Sequence, residues 1–238
     1  MEELLKVETT LPAPRKEKTF NPEESLKGLS EAFAYSRERW ATRAGKAFVI
    51  DEENKEVVRS LMLYFSEHPA FNSLSWNSEK GALRSEPSLK KGLLVCGNVG
   101  SGKTLLLKIF NNCFEGRGRF FLVPCDMLTD KVRREGVAAL QTYASPYRSG
   151  GGANEILFDD LGIESKAKYY GDEINPMFDL IIKRYRSFCD LGLKSHFTTN
   201  LAPGQLASYY DDRTESRLHE MCNIIVLGGS KNSKDRRK

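Results

Sequence analysis

The sequence of 238 residues has no long hydrophobic run. No stretch approaches the roughly 18 or more consecutive apolar residues that a membrane-spanning helix needs. Its first residues, Met1-Glu2-Glu3, are acidic and are not followed by the long apolar segment of a secretory signal. We therefore expect a cytoplasmic protein.

Cysteine is sparse, and its five copies contain no Cys-x-x-Cys pair. Metal sites and disulfide frameworks need cysteines at short, regular spacings, so neither is expected. Three of the five lie in apolar stretches, which favours buried and reduced thiols. The five residues are Cys96, Cys113, Cys125, Cys189 and Cys222.

The sequence also lacks internal repeats and low-complexity tracts. Its composition, 40% hydrophobic and 29% charged, is typical of a globular protein. The length fits one domain of ordinary size with an appended segment. A net charge of +4 permits contact with a polyanion but does not require it.

The first part of the chain divides into an arm and helices. Residues 1–22 carry three prolines and few apolar residues, which predicts a flexible arm. Residues 23–45 form a helical N-terminal segment, because apolar residues including Phe33 and Trp40 recur at roughly helical spacing. A second helix is predicted over 52–67, and the polar residues 72–91 are interpreted as a loop. The residues 230–238 form a basic tail.

Residues 46–229 are interpreted as the core, where short apolar runs alternate with helical patterns. This alternation predicts βαβ units on a parallel sheet with helices on both faces. Five strands are predicted, at 92–96, 120–123, 156–158, 195–199 and 223–227. The clearest helix spans 175–189, with Asn175 as its N-cap. Its apolar stripe includes Phe178, Ile181 and Tyr185, with Arg184 largely outside it.

A glycine-rich motif, Gly-x-x-x-x-Gly-Lys-Thr, directly follows the first predicted strand of the core and precedes a helix. Such a loop lets successive backbone N–H groups point at phosphate oxygens. Lys103 is placed to reach the β- and γ-phosphates, and the Thr104 hydroxyl to bind Mg²⁺. The motif predicts a site for ATP, or less favourably another nucleoside triphosphate. Its residues are Gly97, Asn98, Val99, Gly100, Ser101, Gly102, Lys103 and Thr104.

Two carboxylates follow the apolar run Ile156-Leu157-Phe158. Parallel sheets present ligands at the carboxyl ends of their strands, so this pair is expected beside the phosphate loop. Asp159 suits Mg²⁺ coordination, and Asp160 suits activation of the attacking water. The alternative is a solvated strand end.

Polar residues also follow the next strand, at Asn200, and two arginines, Arg213 and Arg217, stand four residues apart further on. The Asn200 amide is expected near the γ-phosphate, although a turn cap is an alternative. The arginines share one helical face, where salt bridges to nearby acids are the alternative to a functional role.

Together these motifs resemble the AAA+ ATPases of the DnaC/IstB family, which holds bacterial helicase loaders and the ATPase helpers of transposition. The resemblance covers residues 45–229. It rests on Leu157-Phe158-Asp159-Asp160-Leu161-Gly162, on Phe197-Thr198-Thr199-Asn200-Leu201 and on Arg213-x-x-Ser216-Arg217.

The resemblance implies an α/β P-loop fold, with no C-terminal lid domain because few residues follow the last strand. It implies that Asn200 is the sensor-1 residue and that Arg217 is an arginine finger offered to ATP in a neighbouring subunit. Arg213 would then support it, or be the finger itself. The implied activity is ATP hydrolysis by a homo-oligomer.

Several functions stay open at this point. The first is loading of a replicative helicase onto single-stranded DNA, with Lys131, Arg133 and Arg134 as candidate phosphate contacts. A solvated helix face is an equal alternative for these three. The others are an IstB-like regulator of a transposase on duplex DNA, a small-molecule kinase, and a nucleotide-binding switch without catalysis.

Overall fold

A computed structural model describes residues 21–45, 48–78, 81–114, 119–149, 151–165, 167–169 and 172–228. The predicted arm, except for its last two residues, and the predicted basic tail lie outside the described residues. The expectation of no C-terminal lid domain concerns the residues after the last strand, and residues 229–238 also lie outside the described residues. Within the described ranges, no helix combines the length and apolar character needed to cross a bilayer.

In the described residues, nine strands form two sheets. They are β1 (Asn77–Ser78), β2 (Gly81–Leu83), β3 (Gly92–Gly97), β4 (Phe121–Pro124), β5 (Ile156–Leu161), β6 (Ala167–Tyr169), β7 (Asp172–Ile174), β8 (Ser195–Thr199) and β9 (Cys222–Leu227). The main sheet has the order β1-β2-β9-β3-β8-β5-β4, and β6 pairs with β7 alone. The five predicted strands are present as β3, β4, β5, β8 and β9, and all are parallel to their neighbours within this set.

The prediction of a loop over 72–91 was partly wrong. Strands β1 and β2 form a hairpin there and extend the sheet to seven strands, because β2 pairs antiparallel to β9. At Gly81 the backbone lies so close to β9 that an added Cβ would be 2.3 Å from the Val226 carbonyl oxygen. These short strands carry little pattern of their own and form because β9 offers an unpaired edge.

The described part of the chain has eight α-helices around the sheet. They are α1 (Pro22–Ala44), α2 (Lys55–Phe65), α3 (Lys103–Asn111), α4 (Cys125–Glu135), α5 (Gln141–Ala144), α6 (Pro176–Leu191), α7 (Leu206–Tyr209) and α8 (Asp212–Met221). Short 3₁₀ turns span Pro69–Ser73, Val137–Leu140 and Pro203–Gln205. The three longest predicted helices are confirmed as α1, α2 and α6. Asn175 caps α6 as predicted, since its side chain accepts hydrogen bonds from the N–H groups of Met177 and Phe178.

The helices bury apolar side chains on both faces of the sheet. Helices α1, α2 and α3 cover one face, where Phe33 of α1 packs 4.6 Å, centroid to centroid, from Phe110 of α3. Helices α4, α6 and α8 cover the other. The N-terminal helix is therefore packed onto the core through part of its surface. Three cysteines, Cys96, Cys125 and Cys222, are buried as free thiols.

The predicted position of Arg184 was wrong, because this side chain is fully buried. Its guanidinium donates to the Ser195 hydroxyl at 2.7 Å and to the backbone carbonyls of Asn154 and Lys194 at 2.8 and 3.0 Å. Two longer bonds reach the carbonyls of Tyr143 and Ser145. Burial lowers the Arg184 pKa to about 10, so the group is still a cation at neutral pH. The buried face of α6 is consequently rotated, and Cys189 of the predicted stripe is exposed.

Candidate functional site

The phosphate-loop motif connects β3 to α3 at the carboxyl end of the sheet. Strand β8 pairs with β3 on one side and with β5 on the other. The sheet therefore brings the ends of β3, β8 and β5 together. Each of these ends carries a predicted site residue.

The backbone of the loop requires glycine at specific positions. Gly100 and Gly102 have φ of 80° and 91°, a region that L side chains rarely adopt. At Gly97, an added Cβ would be 2.4 Å from the carbonyl oxygen of Leu227 in β9. These positions therefore strongly favour glycine, and the shape of the loop fits the predicted phosphate cradle.

Lys103 is the centre of the hydrogen-bond network. Its side chain is buried, and Nζ donates to the carbonyl oxygens of Gly97 at 2.8 Å and Asn98 at 3.0 Å. Nζ also donates to Asn200 Oδ1 at 2.8 Å, which joins the phosphate loop to the end of β8. These bonds hold the ammonium group at the loop, where its positive charge favours an anion.

Thr104 and Asp159 form a second contact between the loop and β5. The Thr104 hydroxyl donates to Asp159 Oδ1 at 2.8 Å, and the Thr198 hydroxyl donates to the same oxygen at 2.6 Å. Asp159 is buried. A hydroxyl and a carboxylate are hard oxygen ligands of the kind that Mg²⁺ takes in proteins, together with phosphate oxygens. The pair therefore fits the predicted metal site.

Asp160 has an unusual backbone conformation. Its φ is 58°, in the left-handed region that is costly for a residue with a side chain. The Asp160 N–H donates to the Thr198 hydroxyl at 2.8 Å, and Asn200 Nδ2 lies 3.5 Å from Asp160 Oδ1. The structure thus places Lys103, Asn200 and both aspartates in one connected group.

Comparison with known proteins gives structural matches but no sequence matches. No protein-family model and no curated protein matches the sequence. The DnaC helicase loader is 17% identical over 76% of this chain and 93% of its own, with a TM-score of 0.47. A putative primosome component from Streptococcus pyogenes serotype M3 is 14% identical over 78% and 85%, with a TM-score of 0.49.

The structure of DnaI is 19% identical over 92% of this chain and 95% of its own chain, with a TM-score of 0.52. This chain has the fold of DnaI. The predicted α/β fold, a central sheet flanked by helices, is thereby confirmed.

Within this DnaI fold, the two arginines lie on α8, and the described contacts do not bring them to the phosphate loop. Arg213 is exposed, whereas Arg217 is half-buried with its guanidinium 5.4 Å from the centroid of the Tyr185 ring. Among the described residues, Arg217 Nη1 is buried without a hydrogen-bond partner. The sequence left open that Arg217 forms salt bridges with nearby acids. In the described part of the chain its guanidinium lies on the Tyr185 ring instead.

The three candidate DNA contacts lie on α4, which directly follows β4 in the DnaI fold. Lys131 pairs with Glu135 at 2.8 Å, and Arg133 pairs with Asp130 at 3.2 Å. Arg134 Nε donates to the Asp130 carbonyl at 3.3 Å. These partners lie on the same helix, whereas a further bond of Arg133, from Nη2 to the Ser165 hydroxyl at 3.2 Å, reaches the loop after β5. Ion pairs within one helix are weak, so Lys131 can exchange Glu135 for a phosphate at little cost.

The sequence motifs do not reveal two further residues of the site. Thr198 is recognisable in the sequence only as part of the Thr-Thr-Asn strand, yet its hydroxyl links Asp159 to the backbone of Asp160. Glu164 is buried and accepts a hydrogen bond from the Gly162 N–H at 2.8 Å. A glutamate four residues after a candidate catalytic carboxylate was the available signal, but charged residues in loops are usually solvated.

Proposed function

We propose that this chain binds ATP with Mg²⁺ at the phosphate loop, hydrolyses ATP, and acts in DNA replication as a DnaC-like loader of a replicative helicase. The observation that supports this most directly is the contact between Lys103 Nζ and Asn200 Oδ1 at 2.8 Å. It places the candidate phosphate-binding cation beside the residue predicted to contact the γ-phosphate and the attacking water.

Each residue of the connected group has a role in this proposal. The loop N–H groups and Lys103 bind the phosphates, and Thr104 and Asp159 hold the metal. Bound Mg²⁺ would neutralise charge that develops on the phosphate oxygens. Asp160 accepts the proton of the attacking water, and the Asn200 amide orients that water.

The proposal also requires a second copy of the chain. Arg217, or Arg213 next to it on α8, would stabilise the transition state in a neighbouring subunit. Arg213 is exposed and Arg217 is half-buried, so this part of α8 is accessible to a neighbouring subunit. Hydrolysis should then rise faster than linearly with protein concentration.

Replacing Lys103 with alanine should weaken ATP binding about 10- to 100-fold, because the variant cannot donate a charge-assisted hydrogen bond to phosphate. Isothermal titration with ATP and Mg²⁺ measures this directly. Lys108→Ala, on the same helix, is the matched control and should bind ATP like the parent protein. Equal titration curves for the parent and Lys103→Ala would contradict the proposed site.

The helicase-loading role is a finer proposal than ATP hydrolysis. It is supported by the DnaI fold and by the motifs that resemble the DnaC/IstB family. The IstB-like alternative predicts ATPase stimulation by duplex DNA and a transposase, whereas the loader predicts stimulation by single-stranded DNA and a hexameric helicase. Release of free phosphate in the absence of any acceptor nucleotide would distinguish the loader and the IstB-like regulator from a kinase.

We also propose that α4 binds single-stranded DNA phosphates through Lys131, Arg133 and Arg134. Changing all three to alanine should lower affinity for an oligonucleotide and reduce the slope of log K against log salt, by about 0.7 for each phosphate that is no longer neutralised. Fluorescence anisotropy over a salt series measures both quantities. The control changes three basic residues of α1, Lys27, Arg37 and Arg39. An unchanged salt slope in the α4 variant would refute this binding surface.

A further inference from the structure

A second polar cluster joins the loop after β5 to the start of α8. The carboxylate of Glu164, which is 2% exposed, is its centre. Glu164 Oε2 accepts from the Gly162 N–H at 2.8 Å, and Oε1 accepts from the Tyr210 hydroxyl. The Tyr209 hydroxyl donates to the Glu164 carbonyl oxygen at 2.9 Å. One buried acid therefore holds two separate segments of the chain.

The first segment carries the candidate water-activating residue. Asp160 and Gly162 both have positive φ, 58° and 94°, so this turn is held in a conformation that is costly at Asp160. The Ile163 N–H also donates to the Asp160 carbonyl at 3.1 Å. Because Glu164 fixes the Gly162 peptide, it restrains the direction in which Asp160 points.

The second segment carries the candidate arginines. Tyr210 directly precedes Asp211, whose side chain caps α8 by accepting from the Thr214 N–H at 2.6 Å. Arg213 lies in the first turn of this helix and Arg217 one turn later. The Tyr210 hydroxyl therefore fixes the end of the helix from which both arginines project.

Burial affects the pKa values of both partners in the contact between Tyr210 and Glu164. The Glu164 pKa is raised mainly by burial, although its hydrogen bonds oppose the shift. Burial and the nearby Glu164 also raise the Tyr210 pKa well above its usual value. The tyrosine thus stays protonated at neutral pH, and its hydroxyl donates a hydrogen bond to Glu164.

We propose that Glu164 and Tyr210 are positioning residues that couple the Asp160 loop of one subunit to the arginine which that same subunit presents to its neighbour. This inference rests on the proposed ATPase function and adds communication between successive sites of the oligomer. A shift of the Asp160 loop on hydrolysis would move the start of α8, and the arginine would leave the neighbouring site.

Tyr210→Phe tests the coupling because it removes one hydroxyl and keeps the ring. We expect kcat for ATP hydrolysis to fall about tenfold, the loss typical of a hydrogen bond to a charged group, with KM changed less than about twofold. The matched control is Tyr64→Phe, which removes the hydroxyl that donates to the Lys91 carbonyl at 2.7 Å in the core. Thermal unfolding of both variants shows whether a loss of activity reflects folding.

Mixed oligomers test the effect of Tyr210 on the arginine separately from its effect on the Asp160 loop. Asp160→Asn subunits offer an arginine but do not hydrolyse, whereas Arg217→Ala subunits hydrolyse only beside an arginine donor. Mixing the two should restore activity. Adding Tyr210→Phe to the Asp160→Asn donor should then lower the restored rate about tenfold, since the hydroxyl acts on the arginine it helps to place.

The outcomes are distinct. A restored rate that is unaffected by Tyr210→Phe in the donor overturns the coupling but leaves the trans arginine standing. A mixture that regains no activity, or a wild-type rate per subunit that is independent of concentration, overturns the proposed oligomeric ATPase and this inference with it. A Tyr64→Phe protein as impaired as Tyr210→Phe would assign the effect to stability alone and also overturn the coupling.

Discussion

Arg217→Ala is expected to reduce the rate of ATP hydrolysis on the order of 10³-fold while ATP affinity changes little. The reason is that an arginine supplied in trans stabilises charge that develops only in the transition state. Its guanidinium lies on the Tyr185 ring of its own subunit and not at its own phosphate loop. Phosphate release at a protein concentration that supports self-association measures the rate, and titration calorimetry measures the affinity.

Two further variants make this test specific. Arg186→Ala removes an exposed arginine of α6 and should hydrolyse ATP at the wild-type rate. Arg213→Ala should cause the smaller loss if Arg213 only supports Arg217. A larger loss at Arg213 would assign the finger to Arg213 instead. A dilute wild-type monomer with the specific rate of the concentrated protein would show that no arginine acts in trans.

Arg184→Met is expected to lower the free energy of unfolding by about 3 to 5 kcal/mol. Methionine fills much of the same volume but leaves the Ser195 hydroxyl and the carbonyls of Asn154 and Lys194 without their buried donor. These groups belong to segments that meet at the amino ends of β5 and β8. Urea unfolding measures the change.

Arg186→Met, on the exposed side of the same helix, is the control and should change the unfolding free energy by less than about 0.5 kcal/mol. If Arg184→Met does not accumulate as folded protein, Arg184→Lys keeps a cation and should show an intermediate loss. Equal urea midpoints for the Arg184 and Arg186 variants would mean that the buried guanidinium contributes no net stability.

Much of the site could be predicted from the sequence because its parts are local. The phosphate loop is one continuous motif, and Asp159 and Asn200 each end an apolar run. The rule that parallel strands present ligands at their carboxyl ends then places them together. Lys103 and Asn200 are in contact, as that reasoning requires.

The remaining features depend on tertiary contacts that no local pattern encodes. Arg184 has the charge of a surface residue, and only the carbonyls that surround it make burial favourable. Strands β1 and β2 are too short to show alternation. The pairing of β2 with β9, and of β1 with β2, determines them. Glu164 meets Tyr210 across 46 positions of the sequence, so neither residue signals the other.

The position of β9 between β2 and β3 has a consequence for synthesis of the protein. Residues 222–227 are translated after almost every other part of the site, yet they flank the strand that leads into the phosphate loop. A nascent chain that ends before Cys222 leaves β3 as an open edge and cannot close the Gly97 turn against Leu227. The proposed nucleotide site can therefore be complete only after β9 has left the ribosome, and incomplete chains present an unpaired strand to chaperones and proteases.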